Sequence, residues 1–307
     1  MKQLARALAI ADRDIGYAGM KDKLALTTQL LTLPAKAVTA AQLASVRIPD
    51  IEILDAKPHS TKLRLGHLAG NRFVIAVRGL ADADAALVHA SEALAQLAAP
   101  PGVPNWFGGQ RFGIDLDNHL VARDMLTGAL PWPRDHRKAR FFASSLQSHW
   151  FNAWLRARLA DDLFATVLAG DWLKKHAGGQ FTAEDAAAET ARLRGDELVI
   201  MGPMFGGEMR PSPAGSAAAA REAAILAAAG VTPADLLAMA RHAPGARRPA
   251  SFALRHASAR RLAPDALELS FWLPSGAYAT VVMAEVQKSA PTASEPPHGE
   301  PNDDANP

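Results

Sequence analysis

The apolar positions follow two periods that alternate along the chain. Residues 1–14 place Leu4, Leu8 and Ala11 at three- and four-residue spacing, which predicts an amphipathic helix beginning at Met1. Apolar side chains then fall on every second residue, at Leu24, Leu26 and Leu30 and again at Phe73, Ile75 and Val77. Residues 24–33 and 71–80 are therefore predicted as half-buried strands, with IEILDA at 51–56 as another. Ala-rich stretches at 36–46 and 82–98 separate them as predicted helices, so the first hundred residues or so mix the two element types in an α+β pattern. PPGVPN at 100–105 breaks the chain. From about 131 the texture turns helical: bulky side chains recur at helical spacing through FFASSLQSHWFNAWLRARLADDLF, and Ala-rich helices are expected at 214–229 and 233–241. Alternation returns at Leu267, Leu269 and Phe271, and LPSGAYATVVMAEVQK predicts a closing helix capped by Ser275.

Composition narrows the class. With 307 residues, 49% hydrophobic and 21% charged, the chain has an ordinary globular make-up, which excludes collagen-like and disulfide-stapled architectures. It has no Cys, so thiolate nucleophiles and Cys-ligated metal centres are excluded as well. The net charge is +2, but the last twenty residues hold Lys288 against Glu295, Glu300, Asp303 and Asp304, which leaves +5 on the rest. That Pro-rich, acidic segment, 288–307, is expected to be disordered. The N-terminal apolar stretch is interrupted by Arg6 and Asp12 and matches neither a signal peptide nor a membrane span.

Three constellations carry possible chemistry. In GYAGMKDKLALTTQ, Asp22 sits between Lys21 and Lys23 at the entrance to a predicted strand; flanking ammonium groups favour the carboxylate form that a nucleophile needs. A polar hairpin tip has the same composition, so the residues alone leave both readings open. In PNWFGGQRFG, Asn105, Trp106, Phe107, Arg111 and Phe112 surround Gly108 and Gly109, which can bend the backbone close to a ligand while an aromatic face receives a flipped base. A loop whose aromatics simply pack beneath it reads the same way. The third is basic: Lys57, His59, Lys62, Arg64 and His67, joined by Arg72 and Arg78, then RDHRKAR at 134–140 and GARR at 245–248. Alternation in TKLRL puts Lys62 and Arg64 on one strand face, where they track phosphates or line a solvated edge. There is no phosphate-binding G-x-x-x-x-G-K-[ST], no G-x-S-x-G and no H-E-x-x-H.

Taken in order, AGMKDKLALTTQ at 18–29, K-L-R-L-G-x-L-x-G-N-x-F at 62–73, N-W-F-G-x-Q-R-F-G at 105–113, GPMFG at 202–206 and FWLPSGAYATVVMAEV at 271–286 resemble the TruD family of tRNA pseudouridine synthases. The resemblance covers nearly all of residues 1–287. It implies an α+β fold: a pseudouridine-synthase-like catalytic domain with a mixed, largely antiparallel central sheet, interrupted by a mostly helical insertion. The domains expected are 1–130 and 246–287 for the catalytic part, 131–245 for the insertion and 288–307 for the tail. The Asp of the family's K-D motif falls on Asp22, as nucleophile. Its substrate contacts fall on Asn105, Phe107 and Tyr278, the last a Tyr where the family usually has Phe. Lys21, Lys23, Lys62, Arg64 and Arg111 would contact RNA. Family members also carry an upstream segment with an E-D-F-x-V-x-E-like strand, so this chain reads as an N-terminally shortened member. The implied reaction turns uridine into pseudouridine, at position 13 in the D-arm region of tRNA, with no cofactor and no metal. The expected partner is tRNA, with no membrane and no obligate protein partner, for a monomer in the cytoplasm. A catalytically impaired tRNA-binding fragment is the alternative. A nucleoside glycosidase would need a second carboxylate, for which Glu285 and Asp115 are nominal candidates.

Overall fold

The computed structural model describes residues 1–22 and 24–287, which fold as two compact units divided between Asn71 and Arg72. In the first, α1 (Lys2–Ala7) buries Leu4 and Ala5 in a small core with Leu8, Ile15 and Val38. It is shorter than the spacing predicts, because Ala9 turns to φ +52 and the chain leaves the helical path. β1 (Gly16–Tyr17) pairs antiparallel with β2 (Leu31–Thr32). Gly16 is required there: a Cβ would come within 2.2 Å of Thr32 Oγ1 and 2.6 Å of the Leu63 carbonyl oxygen. α2 (Ala40–Ser45) begins in a reciprocal Thr39–Gln42 capping box.

The predicted strand over 24–33 survives only as the two residues of β2, and Leu24, Leu26 and Leu30 are exposed. Residues 51–56 contribute a single bridge, Ile51 to Ile48, and TKLRL is loop, with Lys62 Nζ donating to the Arg13 carbonyl at 2.6 Å. Alternation alone does not make a strand; a neighbouring strand must accept its hydrogen bonds and cover its apolar face.

The second unit supplies such neighbours. β3 (Gly70–Val77), which starts two residues before the division, alternates as predicted and places Phe73, Ile75 and Val77 against a core shared with α3 (Ala83–Ala98). Asp82 caps α3. β4 (Val103–Pro104) leads into the loop before α4 (Asn118–Leu126), and α5 (His136–Ala160), capped by Asp135, is the longest helix described. Beyond it come β5 (Trp172–Lys175), β6 (Gln180–Thr182), α6 (Ala186–Arg194) and β7 (Leu198–Met204). α7 (Ala217–Ala228) and α8 (Pro233–Met239) match the Ala-rich predictions, capped by Ser216 and Thr232. β8 (Ala246–Pro249), β9 (Ser251–Phe252), β10 (Arg255–Ala263), β11 (Ala266–Pro274) and α9 (Ala279–Gln287) complete the unit. α9 starts three residues later than a Ser275 cap would place it, because Ser275 and Gly276 form a turn.

Three sheets result, ordered β10-β11-β3, β4-β9 and β6-β5-β7-β8. Strands before residue 131 thus pair with strands after 245. The four-stranded sheet is antiparallel throughout, and three of its strands, β5, β6 and β7, lie in a stretch whose sequence reads as helical. α5 serves two cores: Phe151, Trp154 and Leu155 meet Leu173 of β5 and Ile200 of β7, while Leu146 and Trp150 meet Ala122 of α4 and Met239 of α8. Gly202 permits this approach, since a Cβ there would lie 2.5 Å from the Trp154 ring. On α5, the buried Arg158 donates from Nη1 to both carboxylate oxygens of the buried Asp171, at 2.9 and 3.0 Å. Burial raises the Asp171 carboxyl and lowers the Arg158 guanidinium, and their attraction opposes both shifts. Among the described residues, no single helix is long and apolar enough to cross a membrane. The segment expected to be disordered, 288–307, lies outside the described residues.

Candidate active site

The loop after β4 is built from backbone hydrogen bonds borrowed from other elements. Asn105 is buried, its N–H donating to the Ala250 carbonyl and its Nδ2 to the Pro249 carbonyl, both at 2.9 Å. Its Oδ1 accepts from Arg248 Nη2. Phe107, also buried, donates its N–H to Asn152 Oδ1 at 2.9 Å, and its carbonyl accepts from Asn152 Nδ2 at 3.0 Å. The Asn152 amide of α5 thus fills the place of a neighbouring strand, which satisfies a buried peptide without a sheet. Gly108 is extended and Gly109 opens a one-turn helix, so neither makes the bend expected of it. The glycine that does is Gly113, at φ +89, where a Cβ would collide with the Asn118 side chain.

Cations and aromatics converge on the Phe107 ring. The Arg248 guanidinium lies over it at 4.0 Å from the centroid and that of Arg111 at 5.6 Å, while Phe151 meets it edge-on at 5.6 Å. Arg111 Nε donates to Ser148 Oγ at 3.1 Å. Tyr278, half-buried, packs beside the cores on both sides of the loop. Burial pulls Arg248 down to about 10; Arg111 adds to that fall and Tyr278 opposes it. Burial also raises Glu285 above the usual carboxylate range, against a hydrogen bond from the Trp106 side chain.

Asn105, Phe107, Arg111 and Tyr278 are therefore brought together within the second unit. Asp22, Lys21, Lys62 and Arg64 belong to the first. There Asp22 is exposed, Lys21 donates to Asn71 Oδ1, and Arg64 is exposed in a turn. Lys23 lies outside the described residues. Sequence reasoning missed Arg248 and Asn152. Arg248 is visible in GARR only as charge, but strand alternation in β8 was the available signal: it sends Arg247 to Glu222 and Arg248 to Asn105.

The family model described as tRNA pseudouridine synthase D (TruD) matches residues 1–131 and 135–286. A protein named tRNA pseudouridine synthase D from Anaeromyxobacter dehalogenans (strain 2CP-1 / ATCC BAA-258) is 44% identical, over 94% of this chain and 81% of its own length. One of the same name from Thermus thermophilus is 37% identical, over 92% and 75%. A solved structure from Methanosarcina mazei, described as "Putative tRNA pseudouridine synthase D (TruD)", superposes with a TM-score of 0.73, covering 94% of this chain and 84% of that one. At 22% identity it shows that the two share a fold. The order of the five motifs, the α+β architecture and the match along nearly the whole chain agree, and the chain belongs to the TruD family.

Proposed function

We propose that this chain isomerises uridine to pseudouridine in tRNA, acting as a monomer in the cytoplasm, with uridine 13 as the expected target and Asp22 as nucleophile. The observation that carries the reading is the near-continuous family match, which spans K-D at Lys21–Asp22, N-x-F at Asn105–Phe107 and the Tyr278 segment. In this reading 131–245 is an insertion in a catalytic domain made of 1–130 and 246–287. The pairing of β4 with β9 and the placement of β11 beside β3 support it, since both cross the insertion in sequence.

The chemistry is a transfer within one nucleotide. The Asp22 carboxylate adds to ribose C1′ or to uracil C6, and the N1–C1′ bond breaks. The detached ring turns to present C5, a C5–C1′ bond forms, C5 gives its proton to a base, N1 gains a proton, and the carboxylate is released. The base must leave its stack first, costing a few kcal/mol that contact with Phe107 and Tyr278 partly offsets. Lys21, Lys23, Lys62, Arg64 and Arg111 would hold the tRNA backbone.

Tritium release from a transcript labelled at uridine C5 tests the reading. Release by the wild type that vanishes in Asp22→Ala is the expected result. Salt-dependent tRNA binding without release, indifferent to Asp22→Ala, would instead favour the impaired RNA-binding fragment.

A further inference from the structure

Three other arginines with little exposed side chain have their own carboxylate: Arg158 has Asp171, Arg247 has Glu222 and Arg221 has Asp161. Arg248 is the contrast. Among the described residues its three hydrogen bonds all leave from Nη2 and end on neutral oxygens: the Asn105 carbonyl at 3.4 Å, Asn105 Oδ1 and the Gly276 carbonyl at 3.2 Å. Its Nε is buried with no partner among the described residues, and its Nη1 makes no hydrogen bond there. The Phe107 face and Tyr278 offset its charge in part, a second cation, Arg111, lies over the same ring, and among the described residues the Arg111 side chain makes one hydrogen bond, from Nε to Ser148 Oγ. Desolvating a cation without a counter-anion is expensive, and placing another cation within reach raises the cost. Such a pair is stable in use when an anion arrives from outside the fold.

We propose that Arg111 and Arg248 together bind a phosphodiester of the substrate RNA beside Phe107. The uncommitted donors, Nη1 of Arg248 and both Nη groups of Arg111, suit the oxygens of a phosphate, which guanidinium forks engage in pairs. The bound phosphate supplies the missing counter-charge, so the loop reaches its lowest energy only when RNA is present. The buried Asn105 amide then has a definite role, since by accepting from Arg248 Nη2 it holds the guanidinium at the ring and aims the remaining edge outward. This inference rests on the reading of the chain as acting on RNA.

The test is equilibrium binding of an unmodified tRNA transcript between about 50 and 200 mM salt. Wild type is compared with Arg248→Met, Arg111→Met and Arg248→Lys. Loss of one phosphate contact should lower the slope of log Kd against log salt by roughly 0.7–0.9 in either Met variant. Arg248→Lys should keep the slope and bind several-fold more weakly, since it retains charge without the fork. Unchanged slopes in Arg248→Met and Arg111→Met, or wild-type binding that ignores salt, would overturn the proposal. If Arg248→Met fails to fold by circular dichroism, Arg111→Met decides alone. Wild-type tritium release, run alongside, separates the two readings. Reduced slopes without release uphold the phosphate pair and sink the synthase reading, whereas release with unchanged slopes does the reverse.

Discussion

Two stretches with the same period-two pattern meet opposite fates. In the first compact unit, Leu24, Leu26 and Leu30 alternate and stand in solvent; in the second, Phe73, Ile75 and Val77 alternate and pack against α3. The difference lies in the surroundings, since β3 has β11 beside it and the segment before β2 has no ladder partner among the described residues. Sequence period proposes a strand, and the availability of a neighbour decides it.

The comparison can be broken or sharpened by substitution, beginning with the largest effect. Asp22→Ala should reduce tritium release by at least about 10⁴-fold, as loss of a nucleophile does, while leaving stability within ~0.5 kcal/mol because the side chain is exposed. A melt that fell substantially would contradict the exposed placement. Asp171→Asn leaves Arg158 buried without its carboxylate and should cost ~3–5 kcal/mol, measured by urea unfolding. Leu155→Ala, in the core beneath α5, should cost ~2–5 kcal/mol, and Leu26→Ser, on the exposed alternating segment, less than ~0.5 kcal/mol. If Leu26→Ser proved as costly as Leu155→Ala, the contrast between the units would fail.

The smallest effect concerns His119 and His149, whose rings stack at 4.2 Å. Burial, with His119 adding repulsion, lowers His149 to about 4, and burial lowers His119 too. An unfolded His titrates near 6.5. Between about 4 and 6.5 the unfolded chain therefore binds more protons, so stability contributed by the pair is complete above 6.5 and drains away as pH falls toward 4. The melting temperature should drop over that window and drop less in His149→Gln; equal slopes would contradict the assignment.

Much of this fold was legible in the sequence where pattern and partner agree: α3, α7 and α8 follow Ala-rich composition, α5 follows helical spacing, and β3 and β11 follow alternation. The four-stranded sheet was hidden for a physical reason. LVIMGPM of β7 is buried on both faces, so it shows an apolar run in place of a period, and β5 and β6 are too short to show one. At the site, Asn105, Phe107, Arg111 and Tyr278 were found through motifs, and the structure gathers them. Asn152 could not be found that way: mid-helix amides look like solvated surface until the peptide they complete is seen.

α5 gives two of its faces to separate cores and, through Asn152 and Ser148, a third to the loop that carries Phe107 and Arg111. A small displacement of the helix forced by an exchange on one of these faces is felt at the others, because all three belong to one close-packed rod. Sequence drift along this helix should therefore be correlated, and transplanting the Phe107 loop into a relative should succeed only when the matching turns of α5 travel with it. Double-mutant cycles between Trp150 and Asn152, on opposite duties of one rigid rod, should depart from additivity even though neither side chain needs to touch the other.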